Sequence, residues 1–160
     1  MKLQRPAIGD KIAQITLYQQ KSLDELRMIK PLWAYGENAD KMLDYALHPK
    51  NQEYVIFHVY PSELVRSTEF YEVSIDKLFT GVLLNDSRVA GILNRWDWDE
   101  FVDPPTVDFC VNFKGKLSLS DGRHRTKITF LLGHIEMPIA IHNTEIEQIS
   151  NIINLNKIEG

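Results

Sequence analysis

The segment "SDGRHRT", residues 120–126, holds the densest chemistry in the chain: Asp121, Gly122, Arg123, His124, Arg125 and Thr126 in immediate succession. An alternating strand precedes it and an apolar helical pattern, "KITFLLG", follows. The first amides of a helix have no internal partner, and the aligned peptide dipoles leave partial positive charge there. A helix opened by glycine is therefore a natural seat for an anion. Gly122 permits close backbone approach. Arg123 and Arg125 offer planar forks that hold two phosphate oxygens at once, with His124 between them. Asp121 is the one acidic neighbour, so the trio gains from a bound negative group. The expected phosphate-binding set is Gly122, Arg123, His124, Arg125 and Thr126, and a Gly122→Val change is expected to harm binding more than stability. The bland reading is a polar turn, with Asp121 as helix cap and the arginines in solvent, as short motifs are poorly specific.

Other constellations carry less. "DWDEFVD" gathers Asp97, Asp99, Glu100 and Asp103. A calcium loop needs glycine at its sixth position, where this chain has Val102, so these read as solvated carboxylates on a connecting loop. His48, His58, His124, His134 and His142 show no zinc-ligand spacing, and no structural metal is expected. His134, just after a helix stop, sits where a cation favours the dipole. Cys110 has no second thiol and reads as a small sheet residue. Trp96 fits an apolar helix stripe; Trp98 lies out of that register.

With 160 residues, 44% of them apolar, the chain can bury one substantial core. A formal charge of −4 excludes broad electrostatic coating of nucleic acid, so any basic patch is focal. A lone cysteine, an opening without the apolar run of a secretory signal and the absence of a stretch near ~20 apolar residues point to a cytoplasmic protein without a membrane contact.

The elements that must position the basic segment follow from periodicity. Residues 1–20 carry weak signals. Ser22 and Glu25 stand at capping-box spacing and start a helix that Pro31 limits. A second helix is expected over residues 38–48, with Ala39, Met42, Leu43, Ala46 and Leu47 on one face. "YVIFHVY" reads as a strand ended by Pro61, and "TEFYEVSIDKLF" as another with Tyr71, Val73 and Ile75 on one side. Val89, Ile92, Leu93 and Trp96 define a helix behind an Asn85-Asp86-Ser87 cap. Residues 103–122 are expected to form a hairpin turning at Lys114-Gly115, then come a helix carrying Ile128, Leu131 and Leu132, a strand in "EMPIAI", and a closing helix with Thr144 and Glu147 as capping box. The expected fold class is α+β, a small mixed, partly antiparallel sheet packed with helices. Residues 1–70 are an N-terminal extension packed on a core domain of residues 71–160, together one compact unit.

The run "LSLSDGRHRTKITFLLGHIEMPIAI", with "VAGILNRW" and "TVDFCVNF" upstream, resembles the ParB/sulfiredoxin superfamily. There a strand feeds a Gly-x-x-Arg loop that opens a helix, followed by Leu-Gly and a proline-containing strand. The resemblance covers about residues 73–142, within a few positions at either end. Gly122 matches the loop glycine, and His124 and Arg125 match the His-Arg pair of sulfiredoxins. Arg123 stands where sulfiredoxins have cysteine and ParB proteins have glutamate, so the nucleophile of sulfinic-acid repair is missing. One further helix and no helix-turn-helix pattern is read after the motif, so sequence-specific nucleic-acid contact is not expected.

The resemblance implies a bacterial, plasmid or phage protein that binds a nucleotide, with Mg2+ alongside. It leaves nucleotide hydrolysis, phosphotransfer and nuclease action open, with His124 and Asp121 as the catalytic candidates and the arginines stabilising phosphoryl charge. The rival expectation is a non-catalytic interaction or inhibitor protein that keeps the scaffold and acts on a protein partner.

Overall fold

The computed structural model describes residues 4–7, 9–70, 73–110 and 117–157. Among these residues six α-helices pack on a mixed sheet of six strands: α1 Lys11–Gln19, α2 Leu23–Arg27, β1 Tyr54–Val59, α3 Pro61–Arg66, β2 Thr68–Glu69, α4 Leu83–Asp97, β3 Thr106–Phe109, β4 Leu117–Asp121, α5 Arg123–Leu131, β5 Met137–His142, α6 Ile146–Ser150 and β6 Asn156–Lys157. The strands run in the order β2-β4-β3-β5-β1-β6. β3 pairs antiparallel with β4 and parallel with β5, while β1 lies antiparallel between β5 and β6. The fold is thus mixed α/β. β1 and β2 lie within residues 1–70, so the sheet is not confined to the C-terminal part of the chain. No helix among the described residues is long and apolar enough to cross a membrane.

Two main cores hold the layers. On the sheet, Val59, Val107, Leu117, Met137, Ile139 and Ile141 pack with Leu64, Ile149 and Ile153 from helices and their ends. The second core is helical: Tyr18 of α1, Val89, Leu93 and Trp96 of α4, and Ile128 of α5 with Leu132 just past its end, closed by Leu26, Ile29 and Val102. The α4 stripe follows its spacing at three of its four positions: Val89 and Leu93 are fully buried and Trp96 nearly so, its indole Nε1 donating to Leu32 O at 3.0 Å, while Ile92 is only partly buried.

Several local expectations change. Residues 11–19 form α1, capped by Asp10, whose carboxylate accepts from Ala13 N. The helix expected over residues 38–48 is instead two short 3-10 turns, Gly36–Lys41 and Tyr45–Leu47. The break has a cause. Both carboxylate oxygens of Asp103 accept main-chain amides, from Leu43 and Asp44 at 2.9 Å each, which holds this stretch out of a continuous helix. Asp103 is accordingly buried rather than solvated.

Asn85, Asp86 and Ser87 lie inside α4 rather than before it. Asp86 reaches back to accept from Thr80 N at 2.8 Å and Gly81 N at 3.0 Å, fixing the turn that leads into the helix. Thr144 does not cap α6; its hydroxyl meets His142 Nδ1. The strand expected after residue 68 extends only over Thr68–Glu69, Val73 and Ile75 lie outside any strand, and Tyr71 lies outside the described residues. So does the Lys114-Gly115 turn. The Ser22/Glu25 capping box forms in full.

Candidate functional site

The basic segment is delivered by the end of β4. The register between β3 and β4 slips between Thr106 and Val107, an irregularity of the kind that bends a strand and re-aims its end. The chain then leaves the sheet at Asp121, turns at Gly122 and enters α5 at Arg123. Gly122 is the residue before the helix, with φ +92°, in the left-handed region that favours glycine. The first α5 bond runs from Thr126 N to Gly122 O at 2.9 Å, so the amides of residues 123–125 precede the helical ladder.

Beside this turn is a cavity of about 530 Å³. Arg123 and Arg125 line it from α5, Arg88 and Arg95 from α4, and Arg5 from the N-terminal segment; among the described residues its only carboxylates are Glu100 and Asp121. Arg88, Ile92 and Arg95 fall at i, i+4 and i+7, so one stripe of α4 faces the cavity while the Val89/Leu93/Trp96 stripe faces the core. Sequence reading missed Arg5, Arg88 and Arg95 because they lie about 30 to 120 residues from the motif; the arginine spacing along α4 was the available signal.

The arginines differ in engagement. Arg125 Nη2 pairs with Asp121 at 2.8 Å and its Nη1 donates to Asp103 O, and its side chain is mostly buried. Arg125 therefore braces the start of α5 as well as facing the cavity. Arg5 pairs with Glu100 and lies over the Trp98 ring, 5.8 Å from its centroid. Arg95 donates to Phe101 O. Arg88 is exposed and makes no hydrogen bond or ion pair among the described residues.

Thr126 does not face the cavity. It is fully buried, and its hydroxyl donates to Gly122 O at 2.9 Å while its amide bonds to the same oxygen. Its polar groups are committed to the helix start. Gly122 also serves packing: a Cβ there would lie 2.5 Å from Pro105 Cβ. The expectation that Gly122→Val harms binding more than stability is therefore reversed.

His124 is only 9% exposed and makes no hydrogen bond among the described residues. Burial, then the positive charges of Arg88, Lys127 and Arg123, push its pKa down to about 4. It is neutral at physiological pH. The unfolded chain takes up this proton near pH 6.5 and the folded chain only near 4, so acid favours unfolding between the two. The contribution is intact above about pH 6.5 and is lost as pH falls towards 4, up to about 3 kcal/mol. A His124→Gln variant should therefore lose less stability than the parent between about pH 7.5 and pH 4.5. Urea midpoints at the two pH values give the comparison, and equal losses would contradict it.

Beneath the site, Lys127 is fully buried and its Nζ donates to Asn85 Oδ1 at 2.7 Å, with burial pulling its pKa down. Asn85 in turn donates to Leu78 O and to Asp86. This network ties α5 to α4 and to the segment before it. His134 likewise has its pKa lowered by burial, which disfavours the cationic form expected for it after the helix end.

No group of three His, Cys, Asp or Glu side chains among the described residues could hold a metal ion. Glu100 and Asp121 each already face a guanidinium, so the residues present do not assemble a protein-built magnesium site. No protein-family model, curated protein or solved structure matches the chain.

Proposed function

We propose that this chain is a ParB/sulfiredoxin-like protein that binds a nucleotide or other phosphate-bearing ligand at the start of α5. The observation that carries the reading is the cavity in which five guanidinium groups from three separate segments converge on the opening of one helix, against two carboxylates. Such a cluster is costly for the free protein and is relieved by a bound polyanion. Helix amides, the dipole and bidentate arginines then act on the same oxygens.

In a hydrolase or phosphotransferase, Arg88 and Arg123 would stabilise charge on the transferring group. His124, neutral and unpartnered, would accept a proton from the attacking hydroxyl, a role that strengthens when ligand charge offsets the neighbouring cations. Asp121 would act by holding Arg125 rather than as the base.

Calorimetry with inorganic pyrophosphate, ADP and ATP, each with and without magnesium, tests the reading. Binding should weaken steeply with salt, as expected when charged contacts dominate. Phosphate release from ATP would separate catalysis from binding alone. The second reading, a non-catalytic scaffold that binds a protein partner, is favoured by Val82, Leu83 and Leu84, three successive apolar residues about 60% exposed at the start of α4. Absence of heat with every phosphate compound would favour it.

A further inference from the structure

The arginine cavity has a neighbour on each side. One, of about 210 Å³, shares Arg88, Arg123 and His124 with it and among the described residues is otherwise walled by uncharged side chains, including Val73, Thr80, Val82, Leu84 and Asn85. The other, of about 540 Å³, shares Ile92, Arg95, Asp121 and Arg125 and adds Leu43, Val102, Asp44 and Asp103. Charge thus changes along the row. The centre is strongly cationic, one end adds only apolar and uncharged polar walls to the arginines it shares, and the other end carries carboxylates.

Phosphate groups gain less at either end than in the centre, for different reasons. The apolar end strips them of water without adding a cation beyond the shared wall, and the carboxylates of the other end repel them. At that end the exposed Asp44 suits a hydroxyl donor such as that of a sugar, Asp103 being held by the amides of Leu43 and Asp44, while the apolar end suits a flat, weakly polar group. His124 stands in the wall between the centre and the apolar end, more than nine-tenths buried and without a hydrogen-bond partner among the described residues. A neutral imidazole offers one donor and one acceptor, which matches an uncharged polar group at the junction better than a second phosphate.

We infer that the ligand carries its phosphates in the middle and an organic group at each end, as a pyrophosphate esterified on both sides does, with the dinucleotides as the nearest chemical class. This rests on the phosphate-binding reading of the same cavity. A terminal triphosphate fills the centre and one end only; a two-ended pyrophosphate fills all three compartments.

The test compares pyrophosphate, ADP, ATP, NAD+, diadenosine tetraphosphate and a labelled ten-nucleotide single strand by calorimetry or competition on the full chain. At least one of the two-ended compounds should bind on the order of tenfold more tightly than ADP and ATP, about 1.4 kcal/mol. Leu84→Trp and Leu43→Trp, at positions that are 58% and 72% exposed, fill one end compartment each. Each should abolish the two-ended advantage and leave pyrophosphate affinity unchanged, with circular dichroism reporting an intact fold. Equal affinity for one-ended and two-ended compounds, insensitivity to both tryptophans, or a clear preference for the oligonucleotide would overturn the inference while leaving phosphate binding standing. Failure of pyrophosphate and every nucleotide to bind would remove both.

Discussion

Replacing Gly122 by alanine is expected to cost roughly 3–5 kcal/mol of stability, enough to unfold much of a marginally stable domain at ambient temperature. Two effects add. Gly122 sits at φ +92°, where a side chain is strained, and the new Cβ would come within 2.5 Å of Pro105 Cβ and 2.7 Å of Pro105 Cα. The second contact is with backbone, so it cannot be relieved by a rotamer change. Pro105 is itself fixed, because its carbonyl accepts from Ala140 N at 2.8 Å in β5. Pro105→Ala should therefore fail to rescue Gly122→Ala. Urea denaturation of the two single variants and the double variant decides the matter, and a Gly122→Ala protein within about 1 kcal/mol of the parent would show that the turn is not constrained in this way.

This glycine also marks the boundary between what the residue pattern discloses and what it hides. The left-handed turn before α5 is readable, since glycine between an alternating strand and an apolar helix has few other uses. The clash with Pro105 is not, as it arises where β3 meets the end of β4. The same division holds elsewhere. Ser22 with Glu25 acts within one turn, and the Val89/Leu93/Trp96 stripe within one helix, so both are legible. The stretch 38–48 has a helical apolar spacing, yet Asp103, some 60 residues away, takes the amides of Leu43 and Asp44 and breaks it. Asn85, Asp86 and Ser87 look like a cap, but Asp86 caps backwards from inside the helix. At the candidate site, Arg123, His124 and Arg125 were visible as a motif. Their partners Arg5, Arg88 and Arg95 were not, because only the packing of α1 and α5 on α4 brings that face of α4 to the turn.

Arg88→Glu is expected to weaken binding of pyrophosphate and ADP on the order of 100-fold, about 2–3 kcal/mol, with stability changed by less than about 0.5 kcal/mol. Arg88 gives the cleanest variant in the cluster. It is exposed and makes no hydrogen bond or ion pair among the described residues, whereas Arg125 holds Asp121 and the Asp103 carbonyl, so that its removal would damage the start of α5. Reversing the charge removes one attraction for the phosphates and adds one repulsion. A second readout needs no ligand. The positive charge of Arg88 is, after burial, the leading cause of the low His124 pKa, so the variant should raise that pKa from about 4. NMR titration of the imidazole reports it directly. An unchanged His124 titration would mean that Arg88 does not face the imidazole, and unchanged affinity would take α4 out of the binding surface.

The place of β1 between β5 and β6 bears on how this chain is made. Tyr54 pairs with His142, which leaves the ribosome 88 residues later. At ~5–20 residues per second the segment "YVIFHV" waits roughly 4–18 s for that neighbour. During synthesis it is an unpaired hydrophobic ribbon, and chaperone capture or slow translation near residue 142 would govern the soluble yield.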